Sequence, residues 1–184
     1  MIQNENLILR AIEPCDIELL YEWENSMKLW RVSNTLTPFS KYQLEQFVKA
    51  SSLDIYQTRQ LRLMIDVIEQ NINETVGIVD MFDFEPYHNR AGIGIMIHEK
   101  FRNKGIAAKA LRLFINYVSQ ELGIHNLYCN IETDNEVSIK LFTSLGFELI
   151  GIKKEWLKVR NLYKDEMMFQ LITSSIVGNS DNTL

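Results

Sequence analysis

The chain has 184 residues, 46% of them hydrophobic and 23% charged, the size and balance of one globular domain. Eight glycines and three prolines exclude collagen-like and low-complexity architecture, and two cysteines, Cys15 and Cys129, are too few and too distant for a disulfide framework or a zinc site. The net charge of -5 argues against a nucleic-acid binder that relies on bulk positive charge, and suits a cationic or neutral partner.

In chain order, Leu7–Arg10 reads as a short strand. Pro14 and Asp16 introduce a helix over Ile17–Trp23, with Leu19, Leu20 and Trp23 at helical spacing. Lys28–Thr37 has no clean period and is expected to be a loop. Ser40 followed by Gln43 is a capping-box spacing that opens a helix to about Ala50, striped by Leu44, Phe47 and Val48. Leu61–Ile68 alternates as a strand, Asn71–Glu74 reads as a turn, and Val76–Phe84 and Ala91–His98 complete an antiparallel meander. Gly105–Leu122 is the strongest helix, alanine-rich with one apolar face, and Gly123 suits its end. Leu127–Thr133 is a strand, Asn135–Leu145 a helix stopped by Gly146, and Glu148–Val159 with Tyr163–Ile172 a hairpin turned at Arg160–Asn161. The expected product is one α/β domain over 1–172, a mostly antiparallel mixed sheet of about seven strands flanked by about four helices. The helix after Gly105 is expected to be the right-handed crossover of a parallel pair. Residues 173–184 are expected to be a polar, disordered tail. Met1–Arg10 carries no apolar signal segment and no run approaches the ~18 residues of a membrane span, so a cytoplasmic protein without membrane contact is expected.

The chemistry concentrates at Arg102-Asn103-Lys104-Gly105-Ile106-Ala107, a basic turn between a strand and the best helix. The unpaired N–H groups of a first helical turn favour an anion, and Gly105 removes a Cβ from its path. The alternative is an ordinary left-handed turn with solvated basic residues. Other candidates are likewise double-edged. Asp80, alternating with Ile78, Phe82 and Phe84, is either an amine ligand and proton acceptor or the partner of Arg62 or Arg90. Asp83 falls on the other face with Val79 and Met81. Glu22 and Glu24 end the first helix as acceptor-mouth or solvated residues. His88 and His98 are candidate acid–base side chains but suit structural roles as well. Tyr128 alternates onto the face of Asn130 and Glu132 and is either core or a hydroxyl near the gap. Trp23, Trp30, Phe39 and Tyr42 form either an aromatic wall or core.

Arg102-x-x-Gly105-x-Ala107 resembles the Arg/Gln-x-x-Gly-x-Gly/Ala motif of the GNAT N-acetyltransferase superfamily. Asn135-Glu136-Val137-Ser138-Ile139-Lys140-Leu141-Phe142 leading to Leu145-Gly146-Phe147 resembles its second signature. The element order agrees from about Asn6 to Ile172. Leu9-Arg10-Ala11, His88-Asn89-Arg90-Ala91 and Leu122-Gly123-Ile124-His125 are most similar to the spermidine N-acetyltransferases, with the ribosomal-protein N-terminal acetyltransferases close behind. The resemblance implies acetyl-CoA as co-substrate and no metal. Its pyrophosphate would lie on Arg102 to Ala107, and its pantetheine on backbone groups of Met96, Ile97 and His98 between splayed strands. Asn130, Asn135 and Ser138 would border the same gap, with Asn135 equally suited to be a helix cap, and the resemblance puts Glu22, Glu24, Asp80 and Asp83 on the acceptor side.

Two departures stand out. Phe142 occupies the place of a Tyr that, by the resemblance, protonates the CoA thiolate, and it cannot act as an acid. Gly92 occupies the place of an acidic residue found in many polyamine-type relatives. Expelling an unprotonated thiolate of pKa ~8.5 at pH 7 forgoes roughly 2 kcal/mol, whereas deprotonating an amine of pKa ~10.4 costs roughly 4.6 kcal/mol. A missing base therefore matters more than a missing acid. The expected function is N-acetylation of a small cationic, polyamine-like amine or a protein N-terminus by direct attack in a ternary complex. A CoA-binding sensor or partner subunit with impaired catalysis is the alternative, and a homo-oligomer is compatible with either.

Overall fold

A computed structural model describes residues 1–4, 6–33, 35–69 and 72–174, with the side chains of 31–33 outside the description. Among these residues the strands are β1 (Ile2–Asn4), β2 (Leu7–Ala11), β3 (Leu61–Glu69), β4 (Ile72–Glu85), β5 (Arg90–Ile97), β6 (Asn126–Glu132), β7 (Glu148–Val159) and β8 (Leu162–Ile172). They form one sheet in the order β1-β2-β3-β4-β5-β6-β8-β7. Every neighbouring pair is antiparallel except β5 and β6. The helices are α1 (Ile17–Glu24), α2 (Met27–Ser33), α3 (Lys41–Ala50), α4 (Ile55–Thr58), α5 (Ile106–Gln120) and α6 (Glu136–Ser144). The expected mixed α/β sheet with one parallel pair is present, and α5 is the crossover that joins that pair.

Helix packing gives the sheet two different faces. Ala110, Leu111, Phe114 and Val118 line one stripe of α5 and are fully buried with Leu9, Ile65, Val79, Ile93 and Leu127. Phe142 and Phe147 extend that core. On the opposite face, Leu20 and Trp23 of α1 and Leu44 and Val48 of α3 bury Met64 and Ile78. The expected capping box holds α3: the Gln43 N–H donates to Ser40 Oγ at 3.2 Å and the Ser40 N–H to Gln43 Oε1 at 2.8 Å. A polar cluster ties β2 to the turn before α1, with Arg10 donating to both oxygens of buried Asp16 at 2.7 and 2.8 Å and to buried Asp66 at 2.6 Å.

Several expectations need correction. The supposed loop from Lys28 contains α2, whose Leu29 packs against the second core and whose Trp30 Nε1 donates to the Glu24 carbonyl at 2.7 Å. A seven-residue helix held by such contacts is too short to show a period. Ile72–Glu74 belong to β4 rather than to a turn, and Asn71 lies outside the described residues. The short β1 and α4 were not expected, so the sheet has eight strands and the helices number six among the described residues. The ordered chain continues past Ile172: Thr173 is buried, its N–H donating to the His125 carbonyl and its hydroxyl to that of Ile124. Residues 175–184 of the expected tail lie outside the description.

Irregularity in β4 revises two face assignments. Its register with β5 shifts between Phe82 and Glu85, and Asp83 there has a φ of +49°. The bulge sends Phe84 into the α5-side core, away from Ile78. It also leaves Asp83 exposed, apart from buried Val79 and Met81.

Candidate active site

The parallel strands pair only at Arg90–Asn126, Ala91–Leu127 and Gly92–Tyr128. Beyond Gly92 they separate, β5 continuing against β4 to Ile97 and β6 continuing against β8 to Glu132. The result is a gap that is narrow at Gly92 and Tyr128 and opens toward the N-terminus of α5. The His98 N–H donates to the Val76 carbonyl of β4 at 2.9 Å. Strand alternation then turns the backbone groups of Ile97 and Ile95 toward the gap and those of Met96 and His98 toward β4. Of the three residues expected to offer backbone groups to a ligand, Ile97 alone turns them toward the gap, and Ile95, outside that expectation, does so by the same alternation. Met96 packs its side chain against the second core, and the His98 ring stacks on Trp23 with centroids 6.0 Å apart.

At the wide end, residues 102–105 form a tight turn. Asn103 has φ +62° and Gly105 has φ +75°, and Gly105 caps α5 without any side-chain acceptor. The N–H groups of Ile106, Ala107 and Ala108 have no intrahelical acceptor by position, and the α5 dipole adds to their positive end. A Cβ on Gly105 would meet nothing within 4 Å, so the approach is open. Arg102 is exposed, but its Nε donates to the Ile97 carbonyl at 2.9 Å, tying the turn to the end of β5. Lys104 lies over the Phe101 ring, 5.5 Å from its centroid.

The far wall is made by β6 and α6. Asn130 is exposed and accepts from Lys153 Nζ at 2.9 Å. Asn135 is the cap of α6, its Oδ1 accepting from the Ser138 N–H at 3.2 Å. Cys129 is buried, and burial pushes its thiol up to about 12, which disqualifies it as a thiolate nucleophile. Phe142 is 5% exposed and packs edge-on against Phe147 at 5.1 Å.

The narrow end is closed on one face by the α5 core, where Ala91, Ile93 and Leu127 are almost fully buried. The other face carries polar and aromatic side chains. Asp80 accepts from Arg62 Nε, and Arg62 Nη1 reaches Glu24, each at 2.5 Å. Two carboxylates thus share one guanidinium, a local excess of one negative charge. Arg62 also lies over the Phe47 ring at 5.0 Å. Glu24, not Glu22, joins the cluster, since Glu22 is exposed on α1. Asp83 accepts from the Tyr128 hydroxyl at 3.3 Å, long for an O–H···O bond. Burial raises the Tyr128 pKa, Asp83 raises it further and Arg90 opposes, so the hydroxyl stays protonated at neutral pH. The Phe82 ring meets Tyr128 edge-on at 6.1 Å and lies over Gly92, where a Cβ would fall 2.2 Å from a ring carbon. Phe82 and Gly92 are direct partners in the regular register of β4 with β5, which sets the ring there.

A model of the acetyltransferase (GNAT) domain matches residues 6–148. The spermidine N(1)-acetyltransferase of Escherichia coli strain K12 is 25% identical over 146 residues, covering 78% of this chain and 73% of that one. The crystal structure of the Vibrio cholerae spermidine N-acetyltransferase in complex with CoA and spermine superposes with a TM-score of 0.85 at 21% identity, over 95% of this chain and 99% of that chain. A dodecameric structure of the Vibrio cholerae enzyme superposes at 0.79 and 20% identity, over 97% and 100%. With the family model covering most of its length, and with a basic turn opening the crossover helix beside two splayed parallel strands, the chain belongs to the GNAT acetyltransferase family.

Proposed function

We propose that the protein transfers the acetyl group of acetyl-CoA to a primary amine of a small cationic, polyamine-like molecule by direct attack in a ternary complex. The observation that carries this reading is the gap between β5 and β6, whose wide end meets a basic turn at the N-terminus of α5 and whose narrow end is packed on one sheet face by the α5 core. The residues present fit acetyl-CoA: free N–H groups and Arg102 and Lys104 for a diphosphate, and the strand-edge groups of Ile95 and Ile97 for amides. From Ile97 to Gly92 the strand spans ~16 Å, so an extended arm anchored at the turn ends near the narrow end. Asn103, Gly105, Ile106 and Ala107 line the anchor, and Asn130, Asn135 and Ser138 border the opposite wall. Bound there, acetyl-CoA supplies an activated acyl thioester.

The protein's own part is positioning and charge. A strand-edge N–H of β5 toward the narrow end, where the extended arm ends, polarises the reacting carbonyl. The amine must lose a proton, at roughly 4.6 kcal/mol for a pKa of ~10.4 at pH 7. The excess negative charge of Asp80 and Glu24 over Arg62 holds the ammonium, and Asp80 takes its proton through water. Burial of Cys129 supports direct attack over an acetyl-cysteine intermediate. The long edge strand β7, with Leu149, Ile150, Ile152 and Trp156 exposed, supports a homo-oligomer.

Thiol release from acetyl-CoA across an amine panel tests the proposal. Spermidine, spermine and diamines should turn over, faster at higher pH up to the amine pKa and slower in added salt, because exposed charges are screened beyond ~8 Å at physiological ionic strength. An N-terminal peptide acetylated while all polyamines are inert would replace the acceptor. Phe142, which has no acidic proton, favours a second reading, a CoA-binding sensor or partner subunit. That reading is adopted if CoA raises the melting temperature and no amine turns over.

A further inference from the structure

We infer that Phe82, Tyr128 and Asp83 form a notch over Gly92 that binds the non-reacting ammonium of the acceptor. This inference rests on the acetyltransferase reading above and assigns part of its acceptor specificity. The location follows from access. At the narrow end of the gap one sheet face is sealed by the α5 core, so an acceptor enters over the other face. On that face, at the last paired position of β5 and β6, stand the half-buried rings of Phe82 and Tyr128. They are nearly perpendicular, with an interplanar angle of 83°. Aromatic faces attract an organic ammonium through their quadrupole, and an adjacent carboxylate completes the pairing. Asp83 is that carboxylate. Its left-handed backbone, tolerated by Asp, brings it to the Tyr128 hydroxyl on the neighbouring side of β5. Its 3.3 Å bond to Tyr128 is weak enough for an incoming ammonium to displace. Beside the notch the floor is open, since a Cβ on Gly94 would meet only Phe82, at 3.6 Å.

The same geometry explains Gly92. A Cβ there would sit 2.2, 2.6 and 2.7 Å from three carbons of the Phe82 ring, so any side chain at 92 and the ring at 82 exclude each other. The chain carries no acid on β5 at this position, and it places both an aromatic wall and a carboxylate on β4 instead. The occupant is thus an ammonium on an aliphatic chain, such as the distal end of a diamine. A carboxylate of the same reach would face Asp83.

Calorimetry of acceptor binding to the CoA-loaded protein reads the notch without turnover. For 1,3-diaminopropane, Phe82→Leu and Asp83→Asn should each weaken binding about 5- to 10-fold, with the CoA Kd within twofold of wild type. Beta-alanine, with a carboxylate replacing the distal ammonium, should bind at least 10-fold more weakly than the diamine to wild type. Gly92→Ala should weaken the diamine by pushing the ring aside. Adding Phe82→Leu to Gly92→Ala removes the clash but not the need for the ring, so binding should stay weak. Restored affinity in that double variant, or diamine affinity within twofold of wild type in both Phe82→Leu and Asp83→Asn, overturns the notch. Failure of the wild type to turn over a diamine that it binds would overturn the acetyl-transfer reading and leave the notch standing.

Discussion

Gly105→Val separates the proposed anion-binding role of the turn before α5 from its role in the fold. Gly105 has φ +75° and caps a 15-residue helix. A residue with a Cβ in this left-handed conformation costs ~1–2 kcal/mol, and a β-branched one lies at the upper end. A Cβ there meets nothing within 4 Å, so no packing penalty adds to that cost. For a chain of this size, ~1–2 kcal/mol corresponds to a fall in melting temperature of about 2–8 °C, and the variant should remain folded at 25 °C. In the proposed site the side chain would stand in the path of a diphosphate approaching the N–H groups of α5. Losing one charge-assisted hydrogen bond costs ~1.5–3 kcal/mol, so acetyl-CoA affinity should fall about 10- to 100-fold. Circular dichroism melting and isothermal calorimetry on the same preparation check both numbers. A folded variant with wild-type acetyl-CoA affinity would refute the placement of the anion site.

Arg102→Ala should weaken acetyl-CoA by about 3- to 10-fold in the same calorimetry, because it removes a charge and frees the Ile97 carbonyl while leaving the helix N–H groups intact. Phe142→Tyr should leave kcat within a few-fold of wild type or raise it by up to about 30-fold, the roughly 2 kcal/mol available from thiolate protonation. A loss above ~100-fold in a folded variant would give Phe142 a packing role essential to the site, beyond its contact with Phe147. Asp16→Asn should destabilise the protein by about 3 kcal/mol at pH 7, since it breaks a largely buried, two-point pairing with Arg10. Burial alone would raise the Asp16 pKa, but the Arg10 hydrogen bond, the Glu13 N–H and the Arg10 charge outweigh it and lower the pKa below the ordinary value. The contribution is therefore fully present above pH ~4 and is lost as pH falls through the lower folded value. Chemical denaturation at pH 7 and pH 3 should show the gap between wild type and Asp16→Asn shrinking on acidification.

The features legible in the sequence were those written locally. The capping box at Ser40 and Gln43, the apolar stripe of α5 and the alternation of β3 each depend on residues a few positions apart. The basic turn was legible because strand, turn and helix are contiguous. Reading failed where structure depends on distant partners. The seven residues of α2 are held by Leu29 against the second core and by the Trp30 indole on Glu24. Period-two reasoning put Phe84 beside Ile78 and Asp83 beside Met81, because it cannot pass through a bulge. The pairing of Asp80 with Arg62 stood among the alternatives, since opposed strands bring those positions together. The shared hold of Glu24 on the same guanidinium required the packing of α1 over the sheet, and the Phe82 ring over Gly92 required the register of β4 with β5.

The central claim is that acetyl-CoA lies between β5 and β6 with its diphosphate on the turn before α5. Amide hydrogen exchange resolved to single residues, with and without saturating CoA, tests it most directly. The account predicts new protection at the N–H groups of Ile95, Ile97 and residues 105–108. The His98 N–H, already bonded to the Val76 carbonyl, should change far less. Protection confined to other strands, with the amides of Ile95, Ile97 and Gly105 exchanging as fast as in the free protein, would contradict the account.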